Sequence, residues 1–476
     1  MAERLPGPLD EASPRLLRSA GWTLVGLVVT GAIRFAVRVT ADAAFGVVGL
    51  GMVTAAMAIA TIVTIPGAAG MSAGITKLVS ELRGKGEAAD ARRFARRSAL
   101  AAGTLSLLGA LVGAWYAGRD PALAATGTST RVGVGVLAFA FGLYLTGKAV
   151  AFGLGRIRTY SAAELAGAAA FTVVVVVAVV ADSPVGMFYA LAAAYLPVAL
   201  LTALARGRSA SPDGPLPYRR LAGYGLVGTV GSLAGIGFTS TTPLAAGVVA
   251  GVAGTALVGA ALTLLEPLNL APRAIGLALL PQMSEANAAD ARDQARESLL
   301  TGTRMVAAAA APACALLFLE RDRVLGWVFS EGMVGGATLG WFTVAFFVSV
   351  VGAPAVTSLA ALGVREAAIS MGASIVGFAT AGALWLTLGG SMGTAAIALG
   401  YAAGSLVQVL VPLWVATVRY RVAWRSLWMR VGGLGVAVGL LGSVSRGLAT
   451  DLAGVGLTAA VLAPELRRLV RALRRR

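Results

Sequence analysis

Residues 88–100 read AADARRFARRSAL, and residues 288–300 read AADARDQARESLL. Nine of the thirteen positions are identical, among them Asp90/Asp290, Arg92/Arg292, Arg96/Arg296 and Ser98/Ser298. A Ser-Glu pair precedes each copy, Ser80-Glu81 and Ser284-Glu285. Each copy is charged and lies between long apolar runs, which predicts an amphipathic helix at a membrane surface. Counting apolar runs outward, the first copy joins the second run to the third, and the second copy joins the eighth to the ninth. Six runs separate them. Six is even, so the halves around the two copies share one orientation, a parallel repeat about an axis along the membrane normal.

The apolar runs themselves decide the class. The chain has 476 residues, 57% hydrophobic and 13% charged, with a mean hydropathy of +0.81. Soluble domains are about one quarter charged, so an ordinary soluble enzyme and a disordered chain are excluded. Runs such as Leu165–Ala181 and Gly393–Val418 suit helices of about 20 residues, not barrel strands of about 9–11. The expected fold is an all-α polytopic membrane protein of about fourteen spans. They are read at 20–39, 44–76, 98–117, 132–154, 161–181, 184–205, 221–248, 253–282, 302–319, 336–362, 367–388, 392–418, 431–447 and 449–465.

Grouped by the repeat, these give a cytoplasmic segment 1–19, an N-lobe of six helices over 20–205 and a C-lobe of six over 221–418. The polar, proline-rich linker RGRSASPDGPLPYRR, 206–220, divides them. An extra helix pair, 431–465, and a basic tail, 466–476, follow. The first 20 residues carry prolines and charge and do not read as a cleaved signal, so the first run is expected to stay as an anchor.

Basic residues set the orientation. With the N-terminus inside, thirty of the 39 Lys and Arg fall in inner segments and five in outer loops. Positive charge is retained on the cytoplasmic face, so both termini are expected there. This asymmetry also accounts for the net charge of +17, and no nucleic-acid partner is needed to explain it. There is no histidine and one cysteine, Cys314. That rules out an internal disulfide, zinc sites built on Cys and His, and triads that need a His base. No cofactor is implied.

Charges inside spans each need a reason, since one near the bilayer centre costs about 2.5–3.5 kcal/mol on insertion scales. Arg34 and Arg38 are one turn apart, on one face near the outer end of the first span. They repel unless an anion or a wet cavity offsets them, or they snorkel outward with Arg38 reaching Asp42; both readings stand. In the eighth span, LLEPLNLAPRAIGLALLP, Glu266 and Arg273 are seven residues apart, which on a continuous helix places them on one face. Pro267 and Pro272 break its backbone bonding and are candidate hinges, with Asn269 between them. A broken polar helix at this depth belongs beside protein or water. Lys148 and Glu164, near the inner ends of spans four and five, read as an ion pair or a snorkelling pair, and Lys148 is also a cavity candidate. The surplus of positive charge favours an anionic cargo. Glycine runs such as GVVGLG and GTVGSLAG lack a Lys-Ser/Thr ending and lie in apolar spans, so close helix packing explains them.

Three stretches then carry a resemblance: Arg34-x-x-x-Arg38 running into VTADAAFGVVGL, GAAGMSAGITKLVSE ending span two, and APRAIGLALLPQMSEANAADA ending span eight. Together they resemble the polysaccharide-transporter (Wzx-type) branch of the MOP superfamily, with lipid II flippases as close relatives. The resemblance implies two six-helix lobes facing a central cavity, related by a pseudo-twofold axis along the membrane normal. It implies a polyprenyl-pyrophosphate-linked sugar as cargo, with Arg34, Arg38 and Arg273 in spans comparable to those that line the cavity of lipid II flippases. Spans thirteen and fourteen resemble the pair that forms their lipid-tail groove.

The resulting expectation is a membrane transporter, not an enzyme. It lies in the cell membrane, acts as a monomer, and has membrane lipids, a lipid-linked anionic oligosaccharide and sugar-assembly enzymes as partners. The alternative is a cation-coupled multidrug antiporter of the same superfamily, which would lean on Glu266. A polymerase or ligase needs a long outer loop to hold the reacting sugars, and those around 118–131 and 320–335 are short. A scaffold for sugar-assembly enzymes is the remaining reading.

Overall fold

The computed structural model describes residues 14–124, 127–205, 216–269, 289–330, 335–422 and 424, with six further residues between 275 and 287. The extra helix pair 431–465, the basic tail, most of the linker 206–220, and both Pro272 and Arg273 lie outside the described residues. Every regular element among the described residues is helical. Nine helices among them are long and apolar enough to cross a membrane, and a shorter apolar helix covers Gly186–Thr202. The chain divides into two compact units, Met1–Gly259 and Ala260–Arg476.

The first unit begins with α1 (Pro14–Thr64). A straight helix of that length would extend about 77 Å, far more than a bilayer. It breaks at Gly46, whose φ of 64° and ψ of −160° are not helical. A π-turn, Ile65–Ala69, leads into α2 (Gly70–Gly84). Pro66 explains it: proline lacks the N–H that an α-helix needs there. The unit continues with α3 (Ala88–Ala117), α4 (Gly127–Gly153), α5 (Ile157–Val180) and α6 (Gly186–Ala199), which tightens into a 3-10 turn, Leu200–Ala205. Then come α7 (Tyr218–Ser232), a second π-turn (Leu233–Gly237) and α8 (Phe238–Leu265), which breaks at Ala250 and Gly251.

Side-chain neighbours show that the breaks are hairpins. Arg34 and Thr30 meet Phe141 and Tyr144, so the first arm of α1 runs antiparallel to α4. Thr64 meets Gly142 and Thr76 meets Ala149, so the chain after Gly46 runs parallel to α4. The two arms are therefore antiparallel. The same logic holds at Gly251. Tyr224 meets Gly74 while Thr229 meets Gly70, antiparallel to α2, whereas Val252 meets Gly51 and Gly259 meets Thr54, parallel to α1's second arm.

The second unit holds the rest of α8 and α9 (Arg292–Leu319), α10 (Arg321–Val328), α11 (Gly336–Leu362), α12 (Val364–Met392) and α13 (Thr394–Tyr420). Here α12 and α13 form an antiparallel pair, with the Trp385 indole N–H donating to the Ile397 carbonyl at 3.0 Å. Against them α11 lies parallel to α13, with Gly352 on Val409 and Phe342 on Tyr401. The first unit uses the same scheme. There α5 and α6 are antiparallel, with Gly167 on Ala194, and α4 is parallel to α6, with Gly133 on Phe188 and Phe141 on Tyr195.

The turns recur as well. Positive φ angles fall at Gly86 and Asp290, each two residues before a repeat-bearing helix, α3 and α9. They fall at Gly155 and Gly363 before α5 and α12, and at Asp182 and Gly393 before α6 and α13.

Two expectations are corrected. The first turn was expected between residues 39 and 44, where VTADA is the most polar stretch. Helix continues through it with Asp42 buried, and the chain reverses at Gly46. The reason is steric: only glycine takes that φ/ψ pair without strain. The expected α-helical register from Glu266 to Arg273 is also interrupted. α8 ends at Leu265 and Glu266–Asn269 form a 3-10 turn. A 3-10 turn rotates the chain by about 120° per residue rather than about 100°, so the register of a continuous α-helix does not hold across Glu266–Asn269.

Candidate functional site

A cluster of polar, charged and aromatic side chains lies inside the first unit. Thr30, Arg34, Arg38 and Asp42 are spaced four apart, which puts them along one face of α1's first arm. Arg34 is half-buried, and its guanidinium carbon stands 5.3 Å from the Phe141 ring centroid. That ring stacks on Tyr144 at 6.0 Å and tilts against Tyr195 at 5.2 Å. Tyr144 and Tyr195 close the triangle at 4.9 Å. A cation over an aromatic face gains from the ring quadrupole, the more so when water is excluded.

From the aromatic triangle the cluster reaches a carboxylate. The Tyr144 hydroxyl donates to Glu164 Oε1 at 2.8 Å, and Thr30 Oγ1 lies 3.4 Å from the same hydroxyl. Glu164 is 1% exposed. Below it Tyr160, one turn earlier on α5, is wholly buried and meets Phe152 edge-on at 5.1 Å. Lys148 Nζ stands 5.4 Å from the Tyr160 ring and 6.0 Å from that of Phe152. Close packing makes room for this. Gly26 lies against the Tyr160 ring, where a methyl group would meet it at 2.5 Å, and Ser161 Oγ donates to the Trp22 carbonyl at 2.6 Å.

Of the expected site residues, Arg34 and Lys148 are thus joined through one chain of contacts, Phe141–Tyr144–Glu164 and Tyr160. Arg38 lies one turn above Arg34 and is half-buried. Glu266, Pro267 and Asn269 are in the second unit on the 3-10 turn, with Glu266 half-buried and Pro267 and Asn269 exposed. No group of three or more His, Cys, Asp or Glu among the described residues could hold a metal ion.

Tyr144 and Thr30 are absent from the sequence expectation. A signal existed: Glu164 lies in an apolar run with Tyr160 at i−4, and a buried carboxylate needs a donor. A second set was also missed. Lys77 and Glu81 stand four apart on α2, Arg220 and Tyr224 four apart on α7, and the two pairs meet. Lys77 Nζ donates to the Tyr224 hydroxyl at 2.7 Å, and Arg220 pairs with Glu81 at 3.0 Å.

Chemically, the cluster can do two things. Half-buried arginines on an apolar helix can bind phosphate oxygens in bidentate fashion. A buried carboxylate held by a hydroxyl donor can store charge within the membrane.

No family model and no curated protein sequence matches the chain. Solved structures do match. One is described as the inward-facing conformation of a multidrug resistance MATE family transporter of the MOP superfamily, at a TM-score of 0.69 and 14% identity, covering 84% of this chain and 98% of that one. Another is the lipid II flippase MurJ in an inward closed conformation, at a TM-score of 0.68 and 10% identity, covering 96% of this chain and 98% of that one. A third is a MOP superfamily transporter from Pyrococcus furiosus, described as having a binding pocket of reverse polarity that suggests a different function. Its TM-score is 0.60 at 15% identity, covering 85% of this chain and 95% of that one. The chain shares its fold with these structures, which are described as MOP superfamily transporters and a lipid II flippase.

Proposed function

We propose that this chain is a flippase that turns a polyprenyl-pyrophosphate-linked oligosaccharide from the inner to the outer leaflet of the cell membrane by alternating access. One observation carries the reading. Arg34 sits on the first long apolar helix, steadied over the Phe141 ring, with Arg38 a turn away. A pyrophosphate cannot cross hydrocarbon unaided. Guanidinium groups stay charged at that depth and match phosphate oxygens two at a time. The fold alone leaves the polarity of the cargo open, since one neighbour is described as reversing its pocket's polarity. The cations support an anionic cargo.

In this reading Arg34, Arg38 and Arg273 meet the pyrophosphate, with Asn269 and Lys148 as further polar contacts and Glu266 balancing charge. The sugars travel in a hydrated cavity while the lipid tail stays in the bilayer. Pro267 and Pro272 act as hinges, and the pair 431–465 holds the tail. Both termini lie in the cytoplasm, where sugar-assembly enzymes hand over the cargo. The test is Arg34→Ala and Arg273→Ala, each reconstituted in vesicles, with outward appearance of a fluorescent lipid-linked sugar as the readout. Loss of transport at normal protein level supports the reading; normal transport removes these residues from the mechanism.

A second reading, a cation-coupled multidrug antiporter, is favoured by the buried Glu164. Cationic dye efflux that is lost in Glu164→Gln or Glu266→Gln, with no lipid-linked sugar moved, would select it.

A further inference from the structure

We propose that the outward face of α3 is a binding site for a resident anionic glycerophospholipid, with Arg92 and Arg96 holding its headgroup phosphate and a row of leucines holding an acyl chain. The proposal goes beyond the transport reading and holds for either cargo.

The site begins as a difference between the two copies of the repeat. Residues 88–100 carry four arginines and one aspartate, whereas residues 288–300 carry two arginines and three acids. Arg93 and Arg97 of the first copy stand where the second has Asp293 and Glu297. Retention of positive charge on one side of a membrane applies to both copies, so it does not explain an excess confined to one of them. Within the first copy, Arg93 is buried and pairs with Asp90 at 2.9 Å. That pairing occupies the copy's one acid, and Arg92 and Arg96 face outward, both exposed.

Beyond the arginines the same helix face is oily. At 100° per residue, Arg92, Arg96, Leu100, Leu107 and Leu111 fall within about 100° of arc on α3. Leu100, Leu107 and Leu111 are 67%, 49% and 61% exposed. The second copy runs differently. Its counterparts of Leu107 and Leu111 are Ala307 and Ala311, and both are buried. The repeat keeps a helix in both places but turns this stripe outward in the first.

Length places the arginines at phosphate depth. Exposed Trp115 holds the Arg119 guanidinium carbon 3.8 Å from its ring centroid, a pairing suited to a membrane–water boundary. Arg96 lies nineteen residues before Trp115, about 28 Å along the helix, close to the hydrocarbon thickness of about 30 Å. Arg92 stands one turn further, about 6 Å into the headgroup layer. Two guanidiniums a turn apart can grip one phosphodiester between them, while an acyl chain of the same lipid lies along the leucines. A soluble acidic partner would meet the arginines but gain nothing from leucines below the phosphate level, so a lipid fits the whole stripe.

Two measurements on the full-length protein test it. In the first, delipidated protein in detergent is titrated with phosphatidylglycerol or phosphatidylcholine, and native mass spectra count the bound lipids. Phosphatidylglycerol is expected to bind about thirtyfold more tightly, as two cations at an anionic surface allow. Arg92→Gln plus Arg96→Gln is expected to remove that preference. Arg292→Gln plus Arg296→Gln, the same change in the second copy, is expected to keep it. Equal loss in both variants, or no preference in the parent, overturns the site.

The second measurement reads position. A photoreactive benzophenone at Leu100 is compared with one at Val176, an exposed apolar position on α5, in mixed phosphatidylglycerol–phosphatidylcholine vesicles. The lipid captured at Leu100 is expected to be several-fold richer in phosphatidylglycerol. The same composition at both positions overturns the proposal. So does displacement of phosphatidylglycerol from Leu100 by a tenfold smaller amount of polyprenyl pyrophosphate, which would give the stripe to the cargo. Displacement by an equal concentration of poly-glutamate peptide would give it to an acidic protein and overturns the proposal as well.

Discussion

Gly46 and Gly251 hold one backbone conformation, φ 64° with ψ −160° and φ 65° with ψ −159°. Each closes a helical hairpin in which the second arm later breaks, at Ile65–Ala69 in one case and Glu266–Asn269 in the other. Their sequences agree too: residues 46–53 are GVVGLGMV and residues 251–258 are GVAGTALV. The turn is thus a second, independent mark of the repeat that AADAR at 88 and 288 announces.

The first prediction concerns this turn. Neither glycine has an atom within 4 Å of where a Cβ would stand, so any cost of a methyl group there is backbone strain alone. Gly46→Ala and Gly251→Ala are each expected to destabilise by about 1–3 kcal/mol. Gly31 has equally open space but helical angles. Gly31→Ala is expected to be neutral or stabilising by up to about 1 kcal/mol. Thermal unfolding in one detergent distinguishes the three; equal melting points would sink the strain argument.

The second prediction concerns Tyr144 and Glu164. Tyr144→Phe leaves the volume intact and removes the 2.8 Å donor to Glu164 Oε1. A buried acceptor left without its donor costs about 1–3 kcal/mol. Glu164→Gln in the Tyr144→Phe background is expected to recover part of that loss, since an amide is cheaper to bury than a carboxylate. A double-mutant cycle read by thermal unfolding measures the coupling. Additive losses would mean that the two side chains do not act as a pair.

How far the sequence carried these conclusions depends on the kind of signal. Long apolar helices were legible because hydropathy acts over about twenty residues at a time. The turn at Gly46 was not, because its signal is one residue, and GVVGLG reads equally well as close packing. Both readings apply within that run: Gly46 turns the chain, whereas Gly51 packs on Val252. The Arg34 site was half legible. A charge inside an apolar run announces itself, but Phe141 and Tyr144, 107 and 110 positions further along the chain, are apolar-span residues until the fold brings them in. Pairings such as Lys77–Tyr224 need the fold as well, since each partner alone resembles an ordinary charge or aromatic residue at a span end.

The third prediction is a pH effect outside the membrane. Asp120, in the turn between α3 and α4, is buried and accepts the Ala122 N–H at 2.9 Å. Burial raises its carboxyl above the usual aspartate range, and the backbone hydrogen bond offsets this only in part. A folded-state value above the unfolded one means that the folded protein binds the proton more tightly. The contribution to stability is then present below the unfolded value and is lost as pH rises through the folded one. Asp120→Asn keeps an acceptor oxygen and removes the charge. It is expected to match or exceed the parent's melting temperature at pH 7 and to lose any advantage near pH 4. A variant less stable at pH 7 would show that the ionised carboxylate supports the turn.

The last prediction separates charge from shape at Arg34. Arg34→Lys keeps a positive charge on α1 but replaces a planar fork with a compact ammonium, which cannot hold two phosphate oxygens side by side. It also weakens the stacking on Phe141, because the guanidinium plane is lost. Flipping is expected to drop about tenfold in Arg34→Lys and further in Arg34→Ala, with the folded protein recovered in normal amount. Phe141→Leu keeps the guanidinium but removes the ring that steadies it, and a smaller drop is expected. If the cargo were instead a cationic drug, the order would invert: removing Arg34 would relieve repulsion, and Arg34→Ala would move dye faster than the parent. The sign of that one substitution, measured on both substrates, discriminates between the two readings.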